Sequence, residues 1–121
     1  MARALARVRR VAVGAAVLAL LVGQALPAEA STTVRGTCTF TWSPSNATVA
    51  KGARVTWKAV SCGPHTVTSY SANWSKNTTI STGTSTSRVF QRKGVFKYRC
   101  TFHSSLSGGV CSGMCGKVTV R

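Results

Sequence analysis

The sequence predicts an all-β domain, a sandwich or small barrel of six to eight short strands, preceded by an export signal. Three observations carry this. Apolar residues alternate with polar ones in short runs and nowhere sustain a helical period. Gly, Pro and Asn punctuate those runs at close intervals. Ser and Thr supply 30 of residues 31–121, a composition that gives a long helix little support.

The elements follow in chain order. Arg3, Arg7, Arg9 and Arg10 form a basic n-region, Val11 to Gly23 an apolar run, and Ala28-Glu29-Ala30 a small-residue cleavage motif. Residues 1–30 therefore read as a signal peptide, with Ser31 as the first mature residue and a secreted or extracytoplasmic destination. A membrane span needs about 20 apolar residues, and this run stops at Gly23-Gln24, so cleavage is expected in place of anchoring. Arg9-Arg10 also admits twin-arginine export beside the ordinary route, without the rest of that motif. Ser31 to Gly36 reads as a frayed start. Cys38, Phe40 and Trp42 alternate with Thr as a first strand, and Pro44-Ser45-Asn46 marks a turn. After the Lys51-Gly52 turn, Val55, Trp57 and Ala59 alternate with Arg54, Thr56 and Lys58. His65 to Val67 forms a third strand, and a polar stretch holding Trp74 and Ile80 follows. Ser87 to Phe90 is the next strand. Gly94 turns the chain into Val95 to Thr101, where Phe96, Tyr98 and Cys100 share one face and Lys97 and Arg99 the other. Lys117 to Val120 is the last strand. Residues 31–121 are too few for a second core, so one domain is expected.

Charge excludes much chemistry. Four of the 16 Lys and Arg lie in the signal, as does the only acidic residue, Glu29. Residues 31–121 thus hold twelve cationic side chains and no carboxylate, and only two His, His65 and His103. Paired-carboxylate glycosidases, aspartic proteases, carboxylate-held calcium or magnesium and Ser-His-Asp triads all need residues that are missing. Five Cys (Cys38, Cys62, Cys100, Cys111, Cys115) is an odd number, so in an oxidising compartment two disulfides and one special thiol is the simplest account.

The chemistry sits in two segments: Gly63-Pro64-His65-Thr66-Val67, and Tyr98-Arg99-Cys100-Thr101-Phe102-His103 with Met114 in Gly113-Met114-Cys115-Gly116 beyond it. In this pattern residues 31–121 resemble the cupredoxin family, the blue copper proteins related to plastocyanin and pseudoazurin. The resemblance implies an eight-stranded Greek-key β-sandwich with one copper ion at one end. It implies His65, Cys100 and His103 as equatorial ligands and Met114 as a weak axial one. The remaining four cysteines, Cys38, Cys62, Cys111 and Cys115, are then the disulfide candidates, with three pairings open.

Two imidazoles, a thiolate and a distant thioether suit copper in both oxidation states, since soft sulfur favours Cu(I) and imidazole accepts Cu(II). With no general acid or base beside it, such a site exchanges electrons and makes no bonds, so a one-electron carrier and not an enzyme is expected. An exported protein that stores or delivers copper is the alternative. The interval Ser104 to Gly113 is longer than in plastocyanin-like relatives, and Cys111-Ser112-Gly113-Met114-Cys115-Gly116 resembles the two-cysteine loop of the binuclear copper domain of cytochrome oxidase subunit two. That family continues with a His and a Met, whereas Lys117-Val118-Thr119-Val120 follows here, so the mononuclear set is preferred.

Trp42, Trp57 and Trp74 read as packing residues in preference to electron relays. The Asn-x-Ser/Thr matches at Asn46, Asn73 and Asn77 are common by chance in so Ser/Thr-rich a chain. Basic and aromatic residues interleave from Arg92 to Tyr98, but export and the His65, Cys100, His103 set argue against a nucleic-acid partner. The expected partner is an acidic redox protein or an anionic cell-envelope surface, met by a monomer; the resemblance to cupredoxins implies that electrons pass through the edge of His103, with Leu106 beside it.

Overall fold

Alternation decides which side of each strand turns inward, and in the computed structural model, which describes residues 30–121, every regular element is a strand. The expected signal, Ala30 apart, lies outside the described residues. The strands are β1 (Ser31–Gly36), β2 (Trp42–Ser43), β3 (Asn46–Val49), β4 (Arg54–Ala59), β5 (His65–Ser69), β6 (Asn77–Ile80), β7 (Ser85–Val89), β8 (Gly94–Ser107) and β9 (Val110–Val120). They form two facing sheets, ordered β2-β1-β4-β7 and β3-β9-β8-β5-β6. Only β1 with β4 and β3 with β9 run parallel, as crossover connections between the sheets require. The result is the expected all-β sandwich, with nine strands where about eight are expected.

Val55, Trp57 and Ala59 of β4 face inward while Arg54 and Lys58 face solvent, and Phe96, Tyr98 and Cys100 of β8 do the same around Lys97. Trp57 is the centre of the core: its ring lies 5.2 Å from that of Tyr98, 6.1 Å from Trp74 and 6.3 Å from Phe90. Tyr98 pairs in register with Gly116 of β9, where any Cβ would run into the phenol ring. Glycine there is therefore a packing requirement. Burial pushes the Tyr98 hydroxyl up to about 12, with the Trp57 indole beside it acting the other way.

Several expected elements move. Ser31–Gly36 is no frayed start but a full strand, in register with β4 over six residues and with Val34 wholly buried. Its inward row ends on Gly36, whose missing side chain hides the alternation. The stretch from Cys38 to Thr41, expected as strand, is a turn. The hydroxyls of Thr37, Thr39 and Thr41 bond to one another, Phe40 adopts a φ of 54°, and Cys38 is tied to Cys62. Local side-chain bonding outcompetes the sheet ladder, and only Trp42–Ser43 pairs. The turn signal at Pro44-Ser45-Asn46 ends one residue early, because Asn46 already pairs with Lys117. The polar Asn77–Ile80 stretch is an edge strand beside β5, where only one face needs apolar residues.

Removing the central ring, Trp57→Ala, is expected to destabilise the domain by about 3–5 kcal/mol. Gly116→Ala is expected to cost about 1–3 kcal/mol by overpacking against Tyr98. Urea unfolding followed by tryptophan fluorescence measures both as lowered midpoints, and an unchanged midpoint for Gly116→Ala would contradict the packing argument.

Candidate metal centre

The β8–β9 hairpin builds most of the site. Its pairs run in register from Gly94–Val120 to Arg99–Cys115 and again from Ser104–Gly113 to Ser107–Val110. Between these two ladders the four residues Cys100 to His103 of β8 face the single residue Met114 of β9. The excess length bows outward and releases those backbone groups from the ladder. New partners take them up: Thr101 N–H donates to Thr66 Oγ1 at 2.8 Å, and Ser104 Oγ donates to the Cys100 carbonyl. Gly113 permits the bulge, since its φ is 98° and a Cβ would press on the His103 carbonyl and Ser104 Cα.

The bulge aims Cys100 and His103 at one point, and β5 supplies His65 from across the sheet. Cys100 Sγ lies 3.4 Å from His103 Nδ1 and 3.9 Å from His65 Nδ1, and the two Nδ1 atoms are 3.3 Å apart. An ion about 2.0 Å from each nitrogen and about 2.3 Å from sulfur, in a trigonal plane, would separate these donors by about 3.5–3.7 Å. The triangle therefore fits a metal held by all three. Two of the three donors are held by neighbouring groups. His65 Nε2–H donates to the Ser61 carbonyl at 3.2 Å, which leaves Nδ1 unprotonated toward the centre. Burial holds the His65 imidazole below its ordinary range, the Ser61 bond opposing the shift and His103 adding to it, so the neutral ligating form is favoured. Thr66 N–H donates to Cys100 Sγ at 3.3 Å, a contact suited to a thiolate. Met114 is fully buried, and both its methyl group and His65 Cδ2 press on the empty side-chain slot of Gly36.

The cysteines divide accordingly. Cys38 is bonded to Cys62 and Cys111 to Cys115, while Cys100 is the free, buried thiol. One disulfide ties the Phe40 turn to the loop before His65, and the other closes a short ring around Met114. Phe40 is a site residue that the sequence conceals. Its ring stacks on His103 with centroids 4.0 Å apart and planes 17° apart, although an exposed Phe in a Thr-rich turn carries no signal of this role. The hairpin extension was more legible, because Gly108-Gly109 is a two-residue hairpin turn signal and both glycines take positive φ. The long interval Ser104 to Gly113 is the end of β8, a turn at Gly108-Gly109 and the start of β9. Phe102, Leu106 and Val110 project around His103 and along this extension as exposed apolar side chains.

The model of the plastocyanin/azurin family of copper binding proteins matches residues 28–121. No curated protein matches the sequence. Among solved structures, a purple cupredoxin from Nitrosopumilus maritimus superposes with TM-score 0.58 at 26% identity, covering 74% of this chain and 99% of that one. A reduced variant of amicyanin gives 0.61 at 22% identity, over 78% of this chain and 85% of that one. A copper-containing nitrite reductase from Thermus scotoductus SA-01 gives 0.61 at 16% identity, over 75% of this chain but 22% of that one, a likeness to one fold unit and not to the enzyme. A family match across the whole sandwich, together with a His, Cys, His and Met cluster shaped for a metal and buried except at His103, establishes that this chain belongs to the cupredoxins of the plastocyanin/azurin family, with copper as its cofactor.

Proposed function

We propose that the protein is an exported, monomeric, mononuclear blue copper protein that carries single electrons. His65, Cys100 and His103 would hold the ion, with Met114 as a weaker fourth donor. The single observation that carries this is the donor triangle of His65 Nδ1, Cys100 Sγ and His103 Nδ1, whose spacings match three donors to one ion. A bound copper supplies a one-electron Cu(II)/Cu(I) couple. The chain's part is to keep that couple fast by holding its ligands still. The two in-register ladders flank the Cys100 to His103 bulge, the Cys111–Cys115 bond encloses Met114, and the Cys38–Cys62 bond fixes the approach to His65. Storage or delivery of copper would call for a looser set. The basic surface and the signal-like residues 1–30 support an acidic redox protein or an anionic cell-envelope surface as partner, outside the cytoplasm and without nucleic acid.

Visible and electron paramagnetic resonance spectra of the Cu(II) protein test the assignment. A strong thiolate-to-copper charge-transfer band is expected, absent in Cys100→Ser; Met114→Leu is expected to keep the band and raise the reduction potential, because losing a weak donor destabilises Cu(II) more than Cu(I). A colourless stoichiometric Cu(II) complex contradicts the blue site, and rapid loss of copper to a chelator favours delivery.

Phe40→Ala removes a stacked pair worth about 0.5–1.5 kcal/mol, which corresponds to release of copper from the reduced protein about 2- to 12-fold faster. Stopped-flow chelator competition measures this, and an unchanged rate would confine Phe40 to the turn.

Partner association is expected to depend on salt. Twelve cations with no carboxylate side chain in residues 31–121 attract an acidic partner at long range, and the Debye length falls from about 30 Å at 0.01 M to about 3 Å at 1 M. The association rate with an acidic acceptor falls steeply over that interval if charge steers it. A flat salt profile would leave the basic surface without that role.

A further inference from the structure

The tryptophans that the sequence presents as packing are also arranged in a line. From the metal centre, the His65 ring meets Trp42 at 5.9 Å between centroids, Trp42 meets Tyr98 at 5.6 Å, Tyr98 meets Trp57 at 5.2 Å, and Trp57 stacks on Trp74 at 6.1 Å. Trp57 and Tyr98 are fully buried, whereas Trp74 retains 8% exposure and lines a surface cleft with Arg88, Phe90, Arg92 and Phe96. The series thus runs without interruption from a metal ligand through the core to a second opening in the surface.

We propose that Trp74, Trp57, Tyr98 and Trp42 form a hole relay that carries oxidising equivalents from this cleft to reduced copper, protecting the core from strong one-electron oxidants. The proposal rests on the copper assignment above. An oxidant such as the carbonate radical anion takes one electron from the Trp74 indole and becomes carbonate, leaving an indole radical cation. The hole passes inward from Trp74 to Trp57 and on to Trp42, with the Tyr98 ring as the bridge between those two, because its hydroxyl has no acceptor for the proton that phenol oxidation releases. At His65 an electron from Cu(I) fills it. The net change is one Cu(I) oxidised to Cu(II) and one oxidant reduced, with every aromatic ring restored. Indoles and phenols are the side-chain rings that most readily lose an electron, and transfer rates fall steeply with distance, so short ring-to-ring steps outrun one long jump.

Two local features give the relay direction and keep the hole mobile. The Arg88 guanidinium lies 6.0 Å from the Trp74 ring centroid, so Coulomb repulsion disfavours a positive hole on Trp74 and favours its passage to Trp57. The group beside the Trp57 indole N–H is the Tyr98 hydroxyl, too weak a base to take a proton from an oxidised indole, so the hole on Trp57 is not trapped there as a neutral radical. Packing alone accounts for the burial of these rings, but it does not require an unbroken contact series from a ligand to a surface opening.

The test exposes the Cu(I) protein and the Zn(II)-loaded protein to the same dose of carbonate radical anion, generated by pulse radiolysis. Peptide mapping reads oxidised Trp74, and absorbance follows the indole radical and the Cu(II)–thiolate band. The expected result is several-fold less oxidised Trp74 in the Cu(I) protein, with the Cu(II) band growing as the indole radical decays, at a rate independent of protein concentration. Trp57→Phe is expected to return Trp74 oxidation toward the zinc level while leaving the copper spectrum and potential unchanged. Equal Trp74 oxidation in the two metal forms overturns the relay, as does a Cu(II) band whose growth depends on protein concentration; that kinetic arm needs no variant. A protein that forms no Cu(II)–thiolate band overturns the copper assignment and the relay with it, whereas a blue protein with unprotected Trp74 overturns the relay alone.

Discussion

A mismatch in strand length governs the metal end of the molecule: four residues of β8 must pass where β9 supplies one. The ladders on either side stay in register, so the surplus from Cys100 to His103 can only bow out of the sheet. That bow turns two residues of one strand toward a common point, which a regular strand, with its alternating faces, cannot do. It also leaves backbone groups seeking partners, and Thr66 and Ser104 provide them. The same Thr66 gives its backbone N–H to Cys100 Sγ, so the bulge and the Cys100 sulfur are both held by one residue of β5, next to His65.

The aromatic core continues this order away from the site. Trp42 packs edge-on against His65 and against Tyr98, and Tyr98 in turn packs on Trp57. Two glycines make the packing possible by contributing nothing of their own. Gly36 leaves the space in which the Met114 methyl group and the His65 ring meet, and Gly116 leaves that of the Tyr98 ring. Rigidity at the ligands is therefore a property of the sandwich as a whole, set by close-packed rings and not by the ligand segment alone.

A domain without carboxylate side chains must satisfy its cations by other means, and hydroxyls and carbonyls take that part. Arg54 donates to Ser87 Oγ, Lys76 to Thr86 Oγ1, Arg88 to the Ser75 carbonyl and Arg99 to Ser104 Oγ. None of these acceptors cancels a charge. Lys76 shows the consequence: burial first, and then Arg88 nearby, hold its ammonium below the usual range. The Ser and Thr abundance that argues against helix in the sequence is thus also the source of the cations' partners, and the surface stays positive for any anionic partner to meet.

The β-class of the domain, the inward rows of β4 and β8, and the four chemically distinctive residues His65, Cys100, His103 and Met114 were all legible in the sequence, because alternation is local and the residue types are scarce. Tertiary structure decided the rest. Which cysteines pair depends on where loops meet, and Cys38 reaches Cys62 only because the turn after β1 lies over the approach to β5. Phe40 became a site residue through a contact with a side chain 63 positions away. The first strand was hidden because its inward row ends on Gly36, whose role is to leave space. Sequence determines patterns whose period is two residues and chemistry that few residue types can perform. Long-range contacts, gaps in packing and the fate of surplus strand length are set only when the two sheets close on each other, since each is a relation between segments and not a property of any one.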